Sequence, residues 1–243
     1  AQGIQPDDEL LSFLGGETEQ LALIHVKLHV ANATAAPSDP GEYRESLEWL
    51  RKQGYRLVLV GREPMPEAFE PFDLLNYAES PIATYARDLQ LFSRASLAVT
   101  AGSGAALIPD CMGVPLLYLD SWHLQMPLFS PRCVMVPALV RERESGEFLC
   151  LRDQLNLYKS LADHGDETFP IDRWEPRNAS SDEILAGLKE LLSLVVQPSP
   201  LDELQQEYRR LDPDGLLPLS QSRASRYFLE KHRELLRRHV GGS

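Results

Sequence analysis

Residues 97–119, LAVTAGSGAALIPDCMGVPLLYL, constrain the fold of this chain more than any other stretch. An apolar run of strand character turns at Gly102-Ser103-Gly104, continues as a short helix, turns again at Gly113-Val114-Pro115 and ends in a second apolar strand. Strands this apolar are buried on both faces, which calls for helices on either side of a parallel sheet. Where such a strand turns through glycine into a helix start, free backbone N–H groups stand at the carboxyl edge of the sheet and can hold an anion.

The same grammar begins earlier. LALIHVKL (21–28) reads as a strand, ANATAAPSDPG as a loop, residues 42–53 as a helix with Tyr43, Leu47 and Leu50 at helical spacing, and YRLVLVG as a second buried strand. Strand, helix and strand in this order predict an α/β protein built on a Rossmann-like, doubly wound parallel sheet. Residues 63–72 contain three prolines and read as a loop, 74–78 as a short strand and 82–93 as a helix. Residues 120–137 read as loop or short turns and 148–151 as a short strand. Helices are expected from the Asn178–Glu183 segment to about Val196, over about 201–211 and over about 223–239, the first with a Ser or Asp cap and acids in its first turn. The expected organisation is an acidic leader or linker (1–20), a core domain (21–197) and a C-terminal helical extension (198–243).

Candidate site residues cluster at predicted strand ends. His25 and Lys27 lie two apart and would face the same way on a strand, Lys27 to neutralise a phosphate and His25 to hydrogen-bond a ribose or sugar hydroxyl. The bland alternative is an edge strand with a solvated polar face, and His29 shares the phase. The Gly102-Ser103-Gly104 amides and the Ser103 hydroxyl would hold the phosphate, unless the glycines serve only close strand–helix contact. Arg62, after Gly61, would add a second cation. Asp88 would point to a base or cap a neighbouring loop, and Asp120, Trp122 and His123 would cover a ligand from the loop after the second strand of the opening segment. GSGAAL followed by Asp120 also suggests a dinucleotide-binding turn, but Leu107 takes the third glycine position and Pro109 cuts the helix.

Charge narrows the partners. With 36 acidic and 24 basic residues the formal net charge is −12, which disfavours nucleic acid as a partner. A small phosphorylated ligand needs only a few local cations. The basic stretch 223–238 either reaches an acidic partner or anionic lipid, or is the solvated side of a helix that docks through Phe228, Leu229, Leu235 and Leu236. No apolar run approaches the ~20 residues of a membrane span and no secretory core is visible, so a cytoplasmic protein, peripheral at the inner membrane through that stretch, is the expectation. Cys111, Cys133 and Cys150 are widely spaced and read as buried free thiols. No metal is expected.

Taken together, these residues resemble the C-terminal half of a family of bacterial glycosyltransferases from surface-glycan gene clusters, similar to the fucosyltransferase-like enzymes of GT-B fold. The resemblance runs from about Leu21 to Leu236. It rests on His25-Val26-Lys27, where the family has His-Val-Arg, on Tyr43-Arg44, GYRLVLVG (54–61), Asn76-Tyr77-Ala78 with Ser80, and Asp88-Leu89 with Leu91-Phe92. It continues through Ser103-Gly104, Pro109, Gly113-Val114-Pro115, RNASSDEI (177–184), DELQQEYRRL (202–211) and RYFLEKHRELL (226–236). It implies a domain of the GT-B C-terminal type that binds a nucleotide-diphosphate sugar as donor, needs no further cofactor, and works with a glycan or lipid-linked acceptor. It also implies an N-terminal domain, missing here or reduced to residues 1–20, or a partner chain in its place. In that frame His25 and Lys27 contact ribose and diphosphate, Ser103 and Gly104 the diphosphate, and Asp88 the base. Lys27 in place of arginine, Leu59 where the family has arginine and Asn76 where it has aspartate are departures. A non-catalytic binding or assembly module, and an NAD(P)-binding domain, are the other readings.

Overall fold

The computed structural model describes residues 4–16, 20–29, 37–124, 128–163 and 169–238. Its strands are β1 (Leu21–His25), β2 (Arg56–Leu59), β3 (Leu75–Asn76), β4 (Leu97–Ala101), β5 (Leu116–Leu119), β6 (Cys133–Val136), β7 (Leu139–Glu142), β8 (Trp174–Arg177) and β9 (Arg223–Ala224). Its α-helices are α1 (Asp8–Leu14), α2 (Arg44–Lys52), α3 (Tyr85–Arg94), α4 (Leu107–Met112), α5 (Leu151–Asp163), α6 (Ser181–Val196), α7 (Glu203–Arg209), α8 (Arg226–Lys231) and α9 (Arg233–Arg237). A seven-stranded sheet runs in the order β3-β2-β1-β4-β5-β6-β9 with every pairing parallel. The α/β, Rossmann-like doubly wound architecture expected from the sequence is what the chain adopts.

Alternation along the central strands assigns the two faces. Ala22, Ile24, Leu57, Leu59, Val99, Leu117 and Val136 pack with α2, α6, α7 and α8, whereas Leu21, Leu23, Val58, Ala98 and Leu116 pack with α1 and α3. Both sets are buried, which is why these strands read as unbroken apolar runs. The longest helix, α6, opens on a reciprocal cap in which Ser180 and Glu183 satisfy each other's backbone amides. Gly187 lets it lie close to the sheet, since a Cβ there would stand 3.0 Å from both Leu117 and Val136.

Several elements differ from the sequence expectations. Residues 8–14 are not a leader but a capped helix, with Leu10 and Leu14 buried against the sheet and Arg87 of α3 bonded to Asp7 at 2.8 Å. β6 falls inside a stretch read as loop, because Pro131 and Pro137 bracket its four apolar residues and hide them as a strand. Residues 148–151 give one bridge to Arg141 and the start of α5 instead of a strand. The C-terminal stretch is no appendage: β9 pairs with β6, and the expected single helix is two short ones meeting at His232. The rest of that expectation, His239, and residues 17–19 of the expected leader lie outside the described residues. Cys133 and Cys150 are buried, but Cys111 is exposed.

β7 and β8 form a separate antiparallel ribbon, joined across the strands by Arg141 and Glu175 at 3.0 Å. Trp122, Ala138, Val140 and Phe169 make a small apolar cluster of their own, with Tyr158 of α5 packed against it. This cluster lies next to the loop that leaves β5, so it supports one wall of the carboxyl edge.

Candidate functional site

The strand order reverses between β1 and β4. In open α/β sheets the crevice outside the carboxyl ends at such a reversal is where ligands bind. The register aligns His25 with Thr100 and Thr100 with Tyr118, so β1, β4 and β5 end side by side. Lys27 follows β1, the Gly102-Ser103-Gly104 turn follows β4, and Asp120 through His123 follow β5. Lys27 and Ser103 therefore leave adjacent strands at the same edge.

Buried polar atoms at this edge lack partners. They include Nδ1 of His25, Oγ1 of Thr100, Nε1 of Trp122, Nε2 of His123 and Oδ1 of Asn178. Unsatisfied buried polar groups cost about 1–3 kcal/mol each; five others lie elsewhere, at Tyr43, Ser46, Arg56, Arg94 and Arg223, so it is the coincidence with the strand-order reversal that draws attention to this edge.

His25 ends β1 and is 8% exposed. Burial is the main cause that takes its pKa down to about 4, with Glu63 opposing and Lys27 reinforcing the fall. Its ring lies against Gly61, where a Cβ would meet Cδ2 of the ring at 2.7 Å and where φ is +107°. Gly61→Ala is thus expected to lose roughly 1–3 kcal/mol of stability, since a strained backbone and a displaced imidazole act together. Urea unfolding of the variant checks this.

β1 stops at His25, so Lys27 lies beyond the strand and the shared strand phase expected for the two residues does not apply. The backbone of Lys27 is instead tied to Ser38, its N–H donating to Oγ at 3.1 Å and its carbonyl accepting from the Ser38 amide at 2.7 Å. Its ammonium acts electrostatically on both His25 and His123. His123 is likewise driven down to about 4, by burial first and Lys27 second, with its ring 4.3 Å from that of Tyr158. His29, by contrast, is exposed and paired with Glu63 at 3.1 Å.

Ser103 caps the short helical turn that begins at Gly104, its Oγ accepting from the Ala105 amide at 3.2 Å. A Cβ on Gly104 would meet nothing within 4 Å, so close packing does not account for glycine there. Arg62 is exposed beyond Gly61. Asp88 sits in the first turn of α3, half-buried, within hydrogen-bonding reach of Tyr77, whose phenol pKa is raised by burial first and by this carboxylate second.

Asp120 is 1% exposed in a left-handed backbone conformation, φ 61°, and accepts from the Ala179 amide at 2.8 Å. Burial pushes its pKa up to about 7; the Ala179 bond and Arg177 oppose this, while Glu183 and Glu42 add to it. One of its oxygens is thus tied to the start of α6, and the residue is buried rather than presented on an exposed loop. Thr100 and Asn178 join the candidate residues only through the structure. Thr100, a lone hydroxyl in the apolar run LAVTA, was the available signal.

Beside Asp120 the N-terminal amides of α6 are occupied by side chains of the protein itself. Ala179 donates to Asp120, Ser180 to Glu183 at 2.8 Å and Ser181 to Glu42 at 2.6 Å. Glu183 is the hub: Arg177 donates to both of its oxygens at 3.1 and 3.0 Å, and His232 approaches at 2.5 Å. The basic C-terminal stretch is turned onto the protein in the same way. Arg226 pairs with Glu230, Lys231 with Asp182 and Arg237 with Glu207, while Phe228, Leu229, Leu235 and Leu236 are buried. The apolar residues of the stretch dock as the second alternative expected, while Arg233 and Arg238 remain exposed. No helix among the described residues is long and apolar enough to cross a membrane.

No family model matches the chain, and no curated protein matches it. Among solved structures it is similar to a glycosyl transferase of family 9 from Veillonella parvula DSM 2008, at 15% identity and a TM-score of 0.45, over 76% of this chain and 50% of that one. It is also similar to the ADP-heptose lps heptosyltransferase II of E. coli, at 16% identity and a TM-score of 0.44, over 79% of this chain and 54% of that one. The chain spans about half the length of each. Neither is a fucosyltransferase, and at these identities the likeness concerns the general α/β architecture, not residues or reaction.

Proposed function

We propose that this chain binds a nucleotide-diphosphate sugar in the crevice between β1 and β4 and forms the donor-binding half of a glycosyltransferase acting in bacterial surface-glycan synthesis. The observation that carries the reading is the coincidence of the strand-order reversal with buried, unpartnered His25 and Thr100 and with Lys27 on the next loop. In glycosyl transfer the bond between the anomeric carbon and the diphosphate oxygen breaks, the sugar passes through an oxocarbenium-like centre, and negative charge grows on the departing diphosphate. Cations and amides aimed at that charge lower the barrier. Lys27 and the Gly102-Ser103-Gly104 turn take that part, and Arg62 adds a cation at the rim. The acceptor hydroxyl and the base that receives its proton belong to a second domain or partner chain. No metal enters the scheme.

The dinucleotide alternative has less support. Asp120, the acid that would hold a ribose, is buried and bonded to Ala179. A thermal-shift panel of UDP-, GDP-, ADP- and CMP-linked sugars against NAD and NADP is expected to show stabilisation by a nucleotide-sugar and none by a dinucleotide. Lys27→Ala is expected to weaken a nucleotide-sugar about tenfold or more while leaving the free nucleoside nearly unchanged, because it removes one charge at the phosphates. Equal losses for both ligands would place Lys27 elsewhere. Turnover by the chain, alone or with an acceptor-binding partner, separates the enzyme from a module that only binds.

A further inference from the structure

We propose that the cleft enclosed by the second half of α6, β9, α7 and α8 binds a free α-amino acid with an apolar side chain. The site is independent of the donor crevice: His25, Lys27, Ser103 and His123 take no part in it.

Ala186, Glu190, Ser193 and Leu194 recur at helical spacing and so share one face of α6. β9, beside β6 at the end of the sheet, and the helices before and after it close around that face and leave a cavity of about 550 Å³, the size of a small-molecule site. Glu190 stands about 13 Å along α6 from Ser181, away from the end of the helix that meets Asp120.

Accessible charges of both signs converge there. Arg226 donates from Nε to Glu230 at 2.8 Å and lies 3.6 Å from Asp202, and the three side chains are 64%, 42% and 32% exposed. Both contacts are made by Nε, so the Nη groups of the same guanidinium remain to receive a carboxylate. Behind them Glu190 is held by Gln205, whose Nε2 donates at 2.9 Å, and by the Arg226 amide at 2.8 Å. Arg223 lines the same cavity, its Nη2 donating to the Ser199 carbonyl at 2.8 Å. Leu194, Leu201 and Tyr227 add an apolar wall.

A simple cation entering this cleft meets two guanidinium groups and a simple anion meets three carboxylates, so a ligand of one sign is opposed as well as attracted. An α-amino acid carries both signs on neighbouring atoms. Its carboxylate fits the Nη fork of Arg226, its ammonium bridges Glu230 and Asp202, and its side chain lies against Leu194, Leu201 and Tyr227. Exposed ion pairs contribute little on their own, so opening them around a ligand costs little.

The test titrates the intact chain by calorimetry with L-leucine and L-phenylalanine, and with isoamylamine and isocaproate, which are leucine without its carboxylate and without its amine. At least one of the two amino acids is expected to bind, and each half-ligand to bind about tenfold more weakly or not at all. Arg226→Gln and Glu230→Gln are each expected to lower the affinity about tenfold, whereas Glu144→Gln, which removes the same charge from an exposed turn outside the cleft, leaves it unchanged. Arg226 and Glu230 are surface side chains, so an unchanged Tm of both variants shows that the fold is intact. The assignment is overturned if neither amino acid binds, if isoamylamine binds as tightly as leucine, or if binding survives both cleft substitutions. Nucleotide-sugar binding is read separately and stands or falls on its own.

Discussion

Asp120→Asn is expected to make the protein more stable at pH 8, by something on the order of 3 kcal/mol, with the advantage shrinking to little near pH 4. The carboxyl is buried and its folded pKa is raised from 3.8 to about 7. An acid raised in this way binds its proton more tightly in the folded than in the unfolded chain. Its contribution to stability is therefore most favourable below 3.8 and is lost as pH rises through about 7. Asparagine keeps the oxygen that accepts from Ala179, carries no charge to bury, and tolerates the left-handed backbone at this position at least as well as aspartate. Thermal or urea unfolding of both proteins across pH 4 to 8 gives the comparison. A variant less stable than wild type at pH 8 would mean that the ionised carboxylate is compensated by partners stronger than the one amide and the Arg177 charge.

Glu183→Ala carries the opposite expectation: a loss of about 3–5 kcal/mol, seen as a drop in Tm of roughly 10 °C. Glu183 has no exposed side-chain surface, and it holds Arg177, His232 and the Ser180 amide at once. Removing it leaves the Arg177 guanidinium, the His232 ring and the first turn of α6 without their common partner. It also frees the helices that follow β9, which Lys231 and His232 fasten at this point. Although burial opposes ionisation, bonds from His232, Arg177 and Ser180 hold this carboxyl below its ordinary value of 4.5. Its contribution is thus present above about that pH and is lost as pH falls below it, so wild type and variant converge in acid. Glu183→Gln keeps one acceptor for the cap and should fall between the two.

The two acids are close in space and opposite in behaviour because of what surrounds them. Asp120 has one amide donor, two carboxylates nearby and Arg177 acting only at a distance, whereas Glu183 takes direct bonds from Arg177, His232 and an amide. Composition says nothing of this. Both residues appear in the sequence as acids near predicted element ends, and only the packing of α6 against the loop after β5 separates them.

Legibility followed the range of the interactions. Residues 97–119 gave β4, the turn, α4 and β5 at sight, and 21–28 and 54–61 gave β1 and β2, because an apolar run bounded by glycine is a local pattern. The cap of α6 was readable for the same reason. β6 was not, being four apolar residues between prolines whose strand state depends on pairing with β5. β9 was read as helix, since two residues become a strand only when β6 is beside them. Of the candidate site, residue type and position after an apolar run single out His25, Lys27 and the glycine turn, whereas the pairing of Thr100 with His25 at the strand ends is set only by the register of β1 and β4.

The sequence by itself determined the class of fold, the central strands and which loops carry charge, because periodicity, glycine turns and caps act over a few residues. Tertiary structure alone decided the strand order that reverses between β1 and β4, and with it which loops share an edge. It also decided that Asp120 accepts from Ala179, that α1 belongs to the core and that Arg226, Lys231 and Arg237 of the basic C-terminal stretch pair with the protein's own acids. Those outcomes rest on contacts between residues tens of positions or more apart, whose energies depend on burial and on neighbours that no local pattern encodes.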